Sequence, residues 1–229
     1  MDTVTGAVAL VGGNEFRADC EPMDRALLAR LGRNPRIAIV PTAAAHENPR
    51  RAADHGMRYF RTFGARADGV MITDAGAANR ADMAAQIKEV DMVYFTGGDP
   101  VHLLESLRDS LAWDAVLQVA ARGGIVAGSS GGAMALGGSL WAPGRGWLAG
   151  LGLAPHVAVV PHHATLAARW NTDLMRAALP AGITLVGIDE ATALTGAGSQ
   201  WQVLGLGEVT IYNADPPAVF AGGEAVALV

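Results

Sequence analysis

Two adjacent serines lie in a glycine-rich segment directly after a buried apolar run. The run Gly124 to Ala127 predicts a strand, and small residues after the serines predict the start of a helix. The segment Gly128 to Gly132 therefore fits the G-x-S-x-G pattern, in which a sharp turn exposes a nucleophilic serine at the end of a strand. Ser130 stands at the centre of this pattern. Ser129 has alanine, not glycine, two positions before it and is the second choice; a plain turn and an anion-binding loop are the alternatives.

A serine nucleophile requires a base, and His162 and His163 are the best placed of the six histidines. The pair follows the predicted strand Val157 to Val160, and active sites of parallel sheets lie at the carboxyl ends of the strands. Because successive residues of a strand point to opposite sides, only one of the two should face Ser130. The alternatives are one solvent-facing and one packing histidine, or a weak metal site. Since no cysteine or carboxylate stands at a metal-ligand spacing, we expect no metal.

The base in turn needs an acid that orients it, and Glu190 is the candidate, with Asp189 beside it. The apolar run Thr184 to Ile188 predicts a strand, so both carboxylates also lie at a carboxyl end. A solvated acidic turn is the alternative interpretation. Three strand ends that carry serine, histidine and glutamate favour a catalytic triad.

A second glycine pair, Gly97-Gly98, follows the predicted strand Asp91 to Phe95. Such a turn exposes backbone N–H groups, and one of them is expected to complete an oxyanion hole with the N–H of Gly131. The alternative is a phosphate-binding turn before a helix. The segment has no Lys-Ser/Thr pair, which excludes a P-loop.

Apolar runs alternate with helical patterns in the first part of the chain. The predicted strands there are Gly6–Val11, Arg36–Val40, Gly69–Ile72, Asp91–Phe95 and Gly124–Ala127. The predicted helices are Glu21–Leu31, Pro49–Phe63, Ala81–Val90 and one or two within Leu103–Arg122. Because these strands are continuous apolar runs, they are typical of a parallel sheet that helices cover on both faces.

Closely spaced strand patterns, separated by glycines, follow in the C-terminal part and indicate β-hairpins. They are Val157–Val160, Thr184–Ile188, Ala191–Thr195, Trp201–Leu204 and Val209–Tyr212, with one helix predicted over Ala167–Leu179. We therefore predict a single α/β domain over residues 1–229. Its sheet is mostly parallel and doubly wound, flanked by helices, with β-hairpins in the C-terminal part.

Composition limits the partners and the environment of the chain. Its 229 residues are 51% hydrophobic and 17% charged, which supports a large buried core and not disorder. The net charge of -5 argues against nucleic-acid and anionic-membrane partners. The single cysteine, Cys20, has no partner for an internal disulfide and is expected to be a packing or surface residue. Without a basic N-terminal region or a long apolar run, the protein is expected to be cytoplasmic; a homodimer is left open.

Ordered motifs along the chain resemble those of the cyanophycinase and dipeptidase E family of serine peptidases. The motifs are Phe95–Asp99, Gly128–Ala133, Val160–His163 and Gly187–Leu194, and Ile39–Ala43 is similar to the second strand and loop of that family. The resemblance spans most of the chain. It implies a sheet related to that of class I glutamine amidotransferases, with serine in place of their cysteine.

The resemblance implies Ser130 as nucleophile, His163 as base and Glu190 as the acid found in the cyanophycinase branch. His163 matches the histidine of the family's D-Q-H-type motif, in a register where His162 stands in place of the glutamine. In dipeptidase E the acid is an aspartate soon after the nucleophile, and this chain has none between Ser130 and Asp173. Gly98 and Gly131 would form the oxyanion hole, and no cofactor is implied.

Two departures bear on the substrate. Pro100 replaces the glutamine of the cyanophycinase branch, and of the arginines after the histidine only Arg169 is close by. We therefore predict a serine peptidase that hydrolyses small peptides through an acyl-enzyme intermediate. The alternatives are a cyanophycinase-like isopeptide hydrolase, a glutamine-amidotransferase-like or esterase-like hydrolase, and a non-catalytic protein that binds small anions. The predicted substrate-binding residues are Asp99, Ser129, His162 and Arg169.

Overall fold

The fold is known from a computed structural model that describes residues 6–166 and 169–228. The strands of these residues are β1 (Val8–Val11), β2 (Arg36–Val40), β3 (Arg66–Gly69), β4 (Met92–Phe95), β5 (Ile125–Ser129), β6 (Ser139–Ala142), β7 (Gly146–Ala149), β8 (Val157–Val160), β9 (Thr184–Ile188), β10 (Thr192–Ala197), β11 (Gln200–Gly205), β12 (Glu208–Ile211), β13 (Ala218–Ala221) and β14 (Ala225–Ala227). Their α-helices are α1 (Glu21–Ala29), α2 (Pro49–Arg61), α3 (Ala75–Ala78), α4 (Ala81–Lys88), α5 (Pro100–Leu107), α6 (Leu111–Ala121), α7 (Gly131–Leu136), α8 (His163–Leu166) and α9 (Thr172–Ala177).

The central sheet has eight strands in the order β14-β11-β10-β1-β5-β4-β2-β3. The five strands from β1 to β3 in this order run parallel, and β10, β11 and β14 add antiparallel strands on the other side of β1. Helices α1 and α2 bury their apolar side chains against one face, and α4 to α7 bury theirs against the other. The predicted class, a mostly parallel sheet flanked by helices with later antiparallel strands, is confirmed.

A second sheet has the order β13-β12-β9-β8 and was not predicted as a separate sheet. In it β8 and β9 are parallel, and β12 runs antiparallel to both of its neighbours. Its strand β8 ends close to the end of β1, because the N–H of His162 donates a 2.7 Å hydrogen bond to the carbonyl of Gly12. The two sheets therefore meet where the candidate histidines and carboxylates lie.

The bounds of β3, an edge strand of the central sheet, differ most clearly from the prediction. The strand expected over Gly69–Ile72 is β3, which begins earlier, since Arg66 pairs with Arg36 of β2. As an edge strand, β3 has polar and partly exposed residues and gives no continuous apolar run. The apolar residues Val70 and Ile72 are buried just after it ends.

The helix expected over Ala167–Leu179 begins at two residues, Ala167 and Ala168, that lie outside the described residues. Within the described part of that range, the helix α9 covers Thr172–Ala177. Among the residues that the structure describes, no helix is long and apolar enough to cross a membrane.

Candidate active site

Ser130 lies on a strained turn between β5 and α7. Its φ is +49° and its ψ is −113°, a combination that non-glycine residues rarely adopt. A Cβ atom on Gly128 would lie 2.6 Å from the backbone of Gly132, so the strand and the helix approach as closely as the pattern predicted. The fold thus gives Ser130 the local geometry of a nucleophile elbow.

The imidazole of His162 bridges the serine and a carboxylate. Its Nε2 lies 3.1 Å from Ser130 Oγ, and its Nδ1 lies 3.1 Å from Glu190 Oε1. These partners assign the tautomer: Nδ1–H donates to the carboxylate, and Nε2 is free to accept the serine hydroxyl proton. The arrangement has the connectivity of a Ser-His-acid triad.

Glu190 is held as an anion behind the histidine. Burial alone would raise its pKa, but hydrogen bonds from the Thr165 hydroxyl, from its own backbone N–H and from His162 outweigh that effect. The pKa of Glu190 is therefore below its ordinary value, and its side chain is only 13% exposed. A carboxylate that stays ionised at this position favours a positive charge on the imidazole.

Three consecutive carbonyl groups at the end of β1 anchor the segments that carry Ser130, His162 and Glu190. Those of Val11, Gly12 and Gly13 accept hydrogen bonds from the backbone N–H groups of Ser130 (2.9 Å), His162 (2.7 Å) and Ala191 (3.2 Å), respectively. Ala191 directly follows Glu190. One short segment therefore sets the relative positions of Ser130, His162 and Glu190.

Gly13 is also a steric requirement of the site. Its φ is +139°, and a Cβ atom on it would lie 2.2 Å from the imidazole Cε1 of His162. The ring can reach Ser130 only because position 13 has no side chain. The pair Gly12-Gly13 after the first apolar run is the sequence signal that could have indicated this role.

The turn after β4 packs directly on the elbow. Gly98 has a φ of +132°. A Cβ atom on Gly131 would lie only 2.2 Å from the carbonyl oxygen of Gly98. Among the described residues, the structure records no acceptor for the N–H groups of Gly98 and Gly131. Both predicted oxyanion-hole donors thus adjoin Ser130, and their role in binding an oxyanion stays a prediction.

Glu15 is a neighbour of the site that the sequence analysis missed. Its carboxylate accepts hydrogen bonds from the Ser129 hydroxyl (2.7 Å) and from the Gly97 N–H (2.8 Å). Together with Gly97, it borders an open cavity of about 470 Å³ beside α2. No motif marks this residue in the sequence, because both of its partners lie far away along the chain.

The family model of peptidase family S51 matches residues 8–204. The chain belongs to peptidase family S51. This family contains the dipeptidase E and cyanophycinase enzymes, so the protein is a serine-type peptidase and the resemblance noted in the sequence is confirmed. No curated protein matches the chain.

Two solved structures, of a peptidase and of a putative peptidase, have the fold seen here. The chain is similar to a peptidase from an acI-B1 Actinobacterium, at 26% identity and a TM-score of 0.87, with 99% of this chain and 98% of the other covered. It is also similar to a putative peptidase E protein from Listeria monocytogenes EGD-e, at 16% identity and a TM-score of 0.65, covering 88% of this chain and 99% of that one. The second likeness concerns the fold alone.

The structure of this S51 peptidase contradicts the expectation that His163, and not His162, faces Ser130. His163 faces away from Ser130: its Nε2 lies 2.7 Å from the Tyr212 hydroxyl, and its Nδ1 lies 3.5 Å from Asp189 Oδ1. The physical reason is the backbone of His162, whose φ of +51° turns the chain as it leaves β8. Strand alternation no longer applies after such a turn.

The other residues expected to bind substrate also have different surroundings. Ser129 is fully buried and its hydroxyl is bonded to Glu15, so it has no surface to offer a substrate. Asp99 caps α5, since its carboxylate accepts hydrogen bonds from the N–H groups of Val101 and His102. Arg169 is exposed, and among the described residues no contact with the triad side chains is recorded for it.

Among the described residues, neither a cysteine nucleophile nor a cluster of metal ligands is part of the candidate site. Cys20 is buried, and this burial raises the pKa of its thiol to about 12, so it is not a thiolate nucleophile near neutral pH. Within residues 6–166 and 169–228, no group of three or more histidine, cysteine, aspartate or glutamate side chains is arranged to hold a metal ion.

Proposed function

We propose that this family S51 peptidase hydrolyses small peptides through a triad of Ser130, His162 and Glu190. The observation that carries the proposal is the continuous path of two 3.1 Å hydrogen bonds from Ser130 Oγ through the His162 ring to Glu190. Further support comes from the strained elbow at Ser130, which matches the conformation expected of a nucleophile.

In the first half of the reaction, Ser130 Oγ attacks the peptide carbonyl carbon and His162 Nε2 takes the hydroxyl proton. The carbonyl oxygen becomes an oxyanion, for which the N–H groups of Gly98 and Gly131 are the proposed donors. His162 then passes the proton to the leaving amine, and the peptide C–N bond breaks to leave an acyl-enzyme. Glu190 keeps the imidazole oriented and stabilises its charged form throughout.

In the second half, His162 takes a proton from a water molecule that attacks the acyl carbonyl. Collapse of the second tetrahedral intermediate returns the proton to Ser130 and releases the acid product. The cavity beside Gly97, at about 470 Å³, lies in the range of small-molecule pockets, and Ser130, His162 and Glu190 are not among the residues that line it.

Hydrolysis of a substrate panel tests this proposal. The panel contains dipeptides, longer peptides, glutamine, small esters and a β-linked aspartate–arginine dipeptide, and the matched control is Ser130→Ala. We expect dipeptides to be cleaved by the wild type and not by the variant. Cleavage of esters, glutamine or the β-linked dipeptide alone would replace the proposal by one of the other hydrolase activities.

A further inference from the structure

The turn that carries Gly98 is held by hydrogen bonds on both sides of that residue. The N–H of Thr96 donates to the Val40 carbonyl (3.3 Å), and the N–H of Asp99 donates to the Ala43 carbonyl (2.8 Å). The N–H of Gly97 donates to Glu15. Between Thr96 and Asp99, the structure thus records an acceptor for each described backbone N–H except that of Gly98.

Glu15 differs from the other two acceptors because it is a side chain from another part of the fold. It follows the β1 end segment, whose carbonyl groups already anchor the three triad segments. Its second carboxylate oxygen is fixed by the buried hydroxyl of Ser129, the residue directly before the nucleophile. A single carboxylate therefore joins the turn after β4 to the elbow after β5.

The geometry points to Glu15 as a positioning residue for the oxyanion hole, with Ser129 as the group that fixes its carboxylate. This inference rests on the proposed function, because it concerns the donors of that reaction. Glu15 holds Gly97, and Gly97 in turn sets the direction of the neighbouring Gly98 N–H relative to Ser130. A Cβ atom on Gly97 would lie 3.2 Å from Glu15 Oε1 and 3.3 Å from Ser130 Cβ, so Gly97 lies between the carboxylate and Ser130.

The inference also explains why two serines stand side by side. Ser130 is turned outward by its positive φ, whereas Ser129 is the last residue of β5 and its side chain lies inside the protein. Ser129 is thus part of the support of the hole. Its expected roles as substrate contact or second-choice nucleophile do not fit its burial.

Backbone exchange and kinetics test the inference together. Glu15→Ala should speed hydrogen–deuterium exchange of the Gly97 amide about tenfold, the effect of one lost hydrogen bond. It should lower kcat roughly 10- to 100-fold with KM nearly unchanged, less than the ~10²–10³-fold loss for deleting a donor outright. Glu15→Gln, which keeps one carbonyl oxygen, should restore part of the exchange protection at Gly97 and part of kcat. Glu89→Gln, at an exposed position between α4 and β4, is the control.

A peptide aldehyde separates positioning from a general structural effect. Ser130 Oγ adds to the aldehyde carbon, His162 takes the serine proton, and the aldehyde oxygen becomes an alkoxide in the hole. For Glu15→Ala and Ser129→Ala, inhibition should weaken by the same factor as kcat falls. The aldehyde should inhibit the double variant no more weakly than it inhibits the more affected single variant, because both changes release the same turn.

The outcomes distinguish this inference from the proposed function. A raised KM with unchanged kcat in Glu15→Ala would mean that the carboxylate binds substrate, and it would overturn the positioning role. Unchanged exchange at Gly97 would overturn it independently of any activity. Absence of peptide hydrolysis by the wild type would instead overturn the proposed function, while exchange would still decide whether Glu15 holds the turn.

Discussion

At the scale of single residues, three residues of the site have a strained backbone. Ser130, His162 and Ala191 have φ values of +49°, +51° and +53°, and each of them is a non-glycine residue. Such conformations are unfavourable by about 1–3 kcal/mol each and persist where the surroundings impose them. Here the surroundings are three consecutive carbonyl groups at the end of β1. The strain directs the serine and histidine side chains toward each other.

The adjacent serines give the first prediction. Ser130→Ala removes the nucleophile and should lower kcat by several orders of magnitude, roughly 10⁶-fold as in a well-studied serine protease. The protein should stay folded, because the Ser130 hydroxyl bonds only to His162 among the described residues. Ser129→Ala should retain far more activity. Steady-state kinetics and circular dichroism check both variants; an inactive Ser129→Ala beside an active Ser130→Ala would contradict the assignment.

The adjacent carboxylates give the second prediction. Glu190→Gln keeps the shape of the side chain but removes the charge that selects the His162 tautomer, so kcat should fall up to roughly 10⁴-fold. Asp189→Asn is the matched control, since Asp189 accepts the N–H of Glu208 at 2.9 Å and lies on the His163 side. Its kcat should stay near that of the wild type. The reverse order of the two kcat values would move the acid role to Asp189.

At the scale of elements, the end of β1 is the part on which the site depends most. In Gly13→Ala the new methyl group occupies the space of the His162 ring, so kcat should collapse together with a loss of stability from the positive φ. Gly32→Ala is a matched control: position 32 has a φ of +81° and nothing within 4 Å of a new Cβ atom. It should lose stability but not kcat. Equal kcat values for the two variants would contradict the account.

At the scale of the whole molecule, one buried carboxyl group makes stability depend on pH. Asp24 in α1 is fully buried, and this burial raises its pKa from 3.8 to about 7, against a hydrogen bond from the Tyr59 hydroxyl that lowers it. Between these values the native state binds more protons than the unfolded state. The contribution of Asp24 to the free energy of unfolding is thus fully present below about pH 4 and is lost as pH rises through about 7.

Thermal unfolding of Asp24→Asn at several pH values checks this effect. The amide cannot ionise, so at pH 8 the variant should melt above the wild type, by about 2–4 °C for each kcal/mol recovered. At pH 5 the advantage should shrink or reverse. Asp54→Asn, at an exposed position of α2, should show no such pH dependence. A difference between variant and wild type that is the same at both pH values would contradict the raised pKa.

Local patterns predicted much of this molecule, because continuous apolar strands and a glycine-flanked serine are local features. The bounds of β2, β8 and β9 match the prediction to the residue. The separate second sheet could not be predicted, because strand pairing is a long-range property. The same limit explains the error at His163 and the failure to notice Glu15. In each case the decisive contact joins residues that are distant in sequence or depends on a left-handed turn.

Ser130, His162 and Glu190 are proposed to act together as one catalytic unit. The most direct test is mass-spectrometric mapping of a fluorophosphonate adduct in the wild type, His162→Ala and His163→Ala. We expect an adduct on Ser130 in the wild type, nearly abolished labelling in His162→Ala and retained labelling in His163→Ala. An adduct on Ser129, or labelling that survives in His162→Ala and is lost in His163→Ala, would contradict it.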